Sequence, residues 1–269
     1  MTMTDHHDLY DDALNTEYMP SRRVPNAREY FAAWTRDSAA VRQAHPPTTL
    51  AYGPGEHETL DVFEPAGEAR ATLLWIHGGY WKAFYKEDFS YLAPPLLTAG
   101  VRVAVMSYDL LPGVPLRRIV RQARQAAAFV GQRFPSPLIV AGHSAGAHLA
   151  AMIHCADWKA EGLPRPRITA GIGISGLYDL SPLRRTELQP DLQLSGAEAR
   201  DLSPVHHPPT TTAPFLVAVG ELESGAFHGQ SAALAAAWPG VATAPQTLPG
   251  RHHFDAPDDL LSLTQPFLE

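Results

Sequence analysis

The 269-residue chain predicts an α/β fold with a mostly parallel central sheet and helices on both faces. Three observations carry that expectation. Short β-branched runs alternate with segments of helical period, a Gly-x-Ser-x-Gly turn joins one such run to an alanine-rich stretch, and a second glycine turn, His77-Gly78-Gly79, follows an earlier run. With 45% hydrophobic residues, one domain spanning residues 1–269 buries a sizeable core, and no second domain is needed.

Residues 1–50 read as an irregular and helical arm, with Tyr30, Phe31 and Trp34 forming an aromatic face before the break at His45-Pro46-Pro47. Two readings stay open for it: a cover over the active site, or aromatic anchors that only fasten the arm. Strands follow at Thr59–Phe63 and Ala71–Ile76, then a helix over Asp88–Thr98 that Gly100 closes. Val101–Val105 suits a central parallel strand. Leu116, Ile119, Val120, Ala123, Ala127 and Val130 recur with helical period, and Arg117, Arg118, Arg121 and Arg124 on the other side read as a solvated basic face. Leu138–Ala141 is the strand before the serine turn and Ala145–Cys155 the helix after it. Further strands are expected at Ile168–Ile174, Phe215–Val219 and around Ala242–Leu248, with helices near Gln230–Trp238 and Asp258–Leu268. The proline-rich loop 204–214, after an insertion from Ser181 to Ser203, is placed to shape a pocket.

A formal net charge of −7 argues against nucleic acid or an anionic membrane as partner. The start M-T-M-T-D-H-H-D-L-Y-D-D has neither a basic nor an apolar signal region, and no apolar stretch reaches transmembrane length, so the expected location is cytoplasmic. Cys155, alone, forms no internal disulfide and reads as a small core residue. Paired histidines at 6/7, 206/207 and 252/253 raise the question of a metal, but adjacent side chains rarely converge on one ion and no His-Glu-x-x-His or Cys/His framework occurs. Neither metal nor cofactor is expected, and the partner is a small-molecule substrate, with a homodimer left open.

The Gly142-His143-Ser144-Ala145-Gly146 turn marks a nucleophile elbow, with Ser144 as nucleophile. A random chain of this length shows the pattern about once in ten tries, so its seat between a buried strand and a helix decides the matter. Such a serine needs a base and an orienting acid, in the chain order serine, acid, histidine. Of thirteen histidines, His206, His207, His228, His252 and His253 follow with room for an acid between, and only the last two follow the last expected strand. His253 leads and His252 rivals it, since neighbouring side chains point in different directions. Glu223, in the turn after Phe215–Val219, leads for the acid; Asp179, after Ile168–Ile174, is the alternative, and Glu221 reads as a solvated turn residue. The oxyanion donors are the N–H of Ala145 and one from the His77 loop, Gly79 first, with Gly78 or Tyr80 as alternatives. Tyr80, Trp81, Phe84 and Tyr85 either line a substrate pocket or cap the sheet, while His77 and His143 read as structural.

Taken together, H-G-G-Y-W at 77–81, G-H-S-A-G-A-H-L-A-A-M at 142–152, A-D-W at 156–158, S-G-L-Y-D-L at 175–180 and G-E-L-E-S at 220–224 followed by F-H-G-Q-S resemble the kynurenine formamidase (arylformamidase) family of the α/β-hydrolase superfamily. The resemblance runs over roughly residues 58–255 and is specific in the extended elbow and in the Tyr-Trp after the glycines. It implies cleavage of N-formyl-L-kynurenine to L-kynurenine and formate without metal or organic cofactor, with the family serine at Ser144 and its histidine at His253. The family's acid is usually aspartate, where this chain has Glu223, and its Asp before the histidine is replaced by His252. A general small-acyl carboxylesterase with the same triad is the alternative, and a non-catalytic binding protein on a hydrolase fold a remote one.

Overall fold

The computed structural model describes residues 10–268; the His6-His7 pair and most of the acidic start lie outside them. The chain opens with α1 (Asp12–Tyr18), α2 (Pro20–Arg23) and α3 (Ala27–Ala44), then forms β1 (Thr48–Ala51), β2 (Thr59–Phe63) and β3 (Ala71–Ile76). A 3-10 helix over Lys86–Leu92 runs into α4 (Ala93–Thr98). From there strands and helices alternate: β4 (Val101–Met106), α5 (Leu116–Arg133), β5 (Leu138–His143), α6 (Ala145–His154) and β6 (Ile168–Ile174). After α7 (Gln189–Leu192) and α8 (Gly196–Asp201) come β7 (Phe215–Gly220), α9 (Gly225–Ala237), β8 (Gln246–Leu248) and α10 (Leu260–Thr264).

The eight strands form one sheet in the order β1-β2-β4-β3-β5-β6-β7-β8. β1–β2 and β2–β4 pair antiparallel and every later pair is parallel, the architecture of α/β hydrolases. All residues of β3, β5 and β7 are buried, because helices cover both faces. The period of two along a strand divides them. Leu74, Ile76 and Val140 join the core beneath α5 and α6, while Leu73, Trp75, Ile139 and Ala141 join the core beneath α3, α4 and α10.

The structure departs from the sequence expectation at several element ends. β1 was not foreseen, since this edge strand leaves three of its four side chains exposed and shows no apolar alternation. α9 starts five residues earlier than expected, its first turn held by the Glu17 carboxylate, which accepts the Ala226 N–H at 2.9 Å. β8 is short because Pro245, the residue before it, has no N–H to extend the ladder, and Ala242 makes only an isolated bridge to Phe215. The expected C-terminal helix is split into 3-10, α and 3-10 turns, Pro266 removing an N–H from its last part. Of the arginines on α5, Arg117 and Arg118 are exposed and ion-paired, as a solvated face would be. Arg124 is half-buried instead and donates to the Met152 carbonyl, bracing α5 on α6. Among the described residues no helix is long and apolar enough to cross a membrane, and no cluster of three or more His, Cys, Asp or Glu suits a metal ion.

Candidate active site

β5 runs directly into Ser144, which sits at φ 55° and ψ −119°, a conformation few non-glycine residues adopt. The neighbours fix it there: the Ser144 N–H donates to the Ile174 carbonyl at 2.8 Å, and the Ser144 carbonyl accepts the His148 N–H at 3.2 Å. Two glycines make the turn possible. A Cβ at Gly142 would collide with the backbone of Gly146, and one at Gly146 with the carbonyls of Ile76 and His77.

His253, in the loop after β8, places Nε2 3.1 Å from Ser144 Oγ and Nδ1 2.6 Å from Glu223 Oε2. Glu223 follows β7; its Oε1 accepts the Ser175 hydroxyl and, at 2.9 Å, the Gly220 N–H. Burial alone would raise the Glu223 pKa, but the charge of His253 and these hydrogen bonds outweigh it, so the carboxyl is held below the ordinary glutamate value. The rivals sit elsewhere. His252 turns toward the arm, its Nδ1 3.1 Å from Asp255 and its ring edge-on to Tyr30 at 4.7 Å. Asp179 accepts the Ser181 N–H in its own turn, and Glu221 accepts the Gly250 N–H across a surface turn.

The loop after β3 presses on the elbow. A Cβ added to Gly78 would lie 3.1 Å from the His143 carbonyl oxygen and 3.2 Å from Ser144 Cβ, and Gly79 has φ 98°. No acceptor in the described residues takes the N–H of Gly79 or of Ala145. His77 holds the loop from beneath: its Nδ1 contacts the Gly78 carbonyl at 2.8 Å, and its ring stacks on Tyr108 at 4.3 Å. Burial lowers the His77 pKa to about 4, so this ring is neutral.

A cavity of about 280 Å³ opens onto Ser144, His253, Gly78 and Gly79. Its walls are aromatic, from Phe31, Trp34, Tyr80, Phe84, Phe89 and Phe254, with Lys82 and Glu187 half-exposed at the rim. The arm supplies Met19, Pro20 and Ser21 as well as Phe31 and Trp34, so it lines the cavity as well as packing on the domain. Tyr80 lines the cavity and donates its hydroxyl to the Tyr18 carbonyl of the arm.

Trp81, a candidate for the pocket lining, does not line it. Positive φ at Tyr80 and Trp81 turns the two side chains apart, and Trp81 is fully buried, edge-on to His148 at 5.0 Å. Tyr85 likewise stacks on His57 at 4.8 Å, away from the cavity. The loop 204–214 packs against Trp238, whose Nε1–H donates to the His207 carbonyl at 2.8 Å. It is the Ser181–Ser203 insertion that reaches the cavity, through Glu187 and Leu188. Sequence reasoning missed Met19–Ser21, Lys82 and Glu187, which carry no local motif. Only their positions, in the N-terminal arm, in a long insertion and beside the glycine turn, hinted at them.

The BD-FAE family matches over residues 60–238, which includes the elbow, the glycine turn and Glu223 and stops short of His253. A kynurenine formamidase of Salmo salar is 35% identical over 189 residues, 67% of this chain and 64% of that protein. One of Danio rerio is 30% identical over 245 residues, covering 85% of this chain and 83% of the other. Among solved structures, a protein of Silicibacter sp. tm1040 described as a candidate thioesterase superposes with a TM-score of 0.85 at 32% identity, covering 92% of this chain and 94% of that one.

Proposed function

Because the chain belongs to the BD-FAE family and shares its course with kynurenine formamidases, we propose that this serine hydrolase cleaves an aryl formamide, N-formyl-L-kynurenine, to L-kynurenine and formate. The observation that carries the reading is the continuous chain from Ser144 through His253 to Glu223, at 3.1 and 2.6 Å, at the floor of an aromatic cavity. His253 Nε2 takes the Ser144 Oγ proton and the oxygen attacks the formyl carbon. The developing oxyanion is received by the free N–H groups of Ala145 and Gly79. As the C–N bond breaks, His253 returns the proton to the departing aryl amine. Water, activated by the same base, then releases formate from Ser144. Glu223, ionised and buried, orients the His253 ring and stabilises its charged form.

A formyl group asks for almost no room on the acyl side, while the aryl ring finds aromatic walls. At the rim the amino and carboxylate groups of the substrate meet two ion pairs, Glu187 with Arg22 and Lys82 with Asp191, into which they can insert. We assign the enzyme to the cytoplasm, since its single cysteine leaves nothing for an oxidising compartment to bridge. A second reading, hydrolysis of small esters or thioesters, is favoured by the Silicibacter likeness and would use the same groups. The experiment is kcat/KM on N-formyl-L-kynurenine beside p-nitrophenyl acetate and butyrate. A formamide value above about 10⁴ M⁻¹s⁻¹ that exceeds both esters is expected; fast ester cleavage with negligible formamide turnover would replace it with the second reading.

A further inference from the structure

Four histidines are buried with one ring nitrogen lacking a hydrogen-bond partner: Nε2 of His77, His143 and His154, and Nδ1 of His148. In three of them the other nitrogen is held by a backbone carbonyl, of Gly78, Leu202 or Ala150, which marks the ring as a core side chain. His143 is different. It lies in the wall of the cavity that opens on Ser144, and its ring centre is 4.6 Å from that of His253. The point where a Gly78 Cβ would stand is 3.2 Å from both His143 Nδ1 and Ser144 Cβ, so this nitrogen lies close beside the serine residue. Burial first, and the charge of His253 second, push the His143 pKa well down, against the His253 carbonyl that favours a proton. The ring is therefore neutral, with one nitrogen protonated and one lone pair free.

We propose that His143 is a specificity-determining residue for amides, its Nδ1 accepting the N–H of the scissile amide while the ring proton stays on Nε2. The proposal rests on the amide reading above. When the tetrahedral intermediate collapses, the C–N bond breaks, its electron pair stays on nitrogen, and that nitrogen takes the proton from His253 Nε2; the acyl group remains on Ser144 Oγ. For this the nitrogen lone pair must face His253 and the N–H must point elsewhere. An acceptor beside His253 holds the N–H in that direction. An ester oxygen carries no hydrogen and gains nothing from it. His143 neither gains nor loses a proton in the cycle.

The test compares formanilide with phenyl formate, which share the acyl group and the aromatic ring, in wild type, His143→Phe and His143→Asn. Loss of one transition-state hydrogen bond predicts a fall of about 10-fold in kcat/KM for formanilide in His143→Phe, with phenyl formate changed by less than about threefold. His143→Asn, whose side-chain oxygen accepts, recovers part of the loss for the amide alone. His143→Leu replaces the Phe variant if that one melts early. Equal losses on both substrates, or none on either, would overturn the proposal and leave His143 as packing beside the base. A wild-type enzyme that cleaves phenyl formate and not formanilide sinks the amide reading itself, and with it this role, before any variant is made.

Discussion

Glu223 keeps its charge in a buried place because His253, Ser175 and Gly220 all favour the ionised form. Its folded-state pKa is depressed, so its contribution to stability is complete above the ordinary glutamate value of 4.5 and is lost as pH falls below that toward the folded-state value. In urea titrations at several pH values, Glu223→Gln should remove this part of the acid slope that wild type retains. The same variant should lose activity by about 10⁴-fold, the effect of neutralising an orienting acid in such triads. Ser144→Ala should lower kcat by about three orders of magnitude or more and leave the melting temperature nearly unchanged, since alanine occupies the same backbone position. A loss of only a few fold would remove Ser144 from the chemistry.

At the level of elements, the elbow is a contact between the start of α6 and the end of β3, which Gly146 lets touch. Gly146→Ala should destabilise the fold by about 2–3 kcal/mol or more, because the methyl meets two backbone carbonyls that have nowhere to move; a melt within a degree of wild type would disprove that account. Deleting residues 1–23 removes the Met19–Ser21 wall, and the expected result is a KM raised about tenfold for the formamide with a smaller change for p-nitrophenyl acetate, which fills less of the cavity. The parts legible in the sequence are those the backbone dictates locally. β-branched runs buried on both faces announce β3 to β7, and the glycines announce both turns at the site. What was hidden depends on contacts made at a distance. The choice between His252 and His253 is made by Asp255, which accepts the His252 N–H at 2.7 Å and leaves His253 to face Glu223. The direction of Trp81 depends on two positive φ angles that no residue type there demands. β1 has no apolar signature because it is an exposed edge.

For the whole molecule, the sheet is a shared wall between two cores, and the arm is tied to both the insertion and the acid loop. Asp11 pairs with Arg185 at 2.6 Å, Arg22 pairs with Glu187 at 2.6 Å, and the Ser224 hydroxyl donates to the Glu17 carbonyl at 2.6 Å. The buried histidines bear on the molecule as a unit. His77, His148 and His154 are each pushed down to about 4 by burial. Unfolding frees them to take up protons at their ordinary value of 6.5, so the unfolded chain binds more protons than the folded one and stability falls as pH drops from about 6.5 toward 4. Each ring then costs about 3 kcal/mol at pH 4, and three together, about 9 kcal/mol, are comparable to the 5–15 kcal/mol that holds a typical domain folded. Far-UV circular dichroism along a descending pH titration should show cooperative loss of structure before the bulk of the carboxylates have titrated, with proton uptake at the transition exceeding that of a chain in which these rings are replaced by Phe or Gln. A core packed with imidazoles is thus expected to be acid-labile: activity lost as pH falls toward 4 should follow the loss of structure, independently of any titration at Ser144 and its partners.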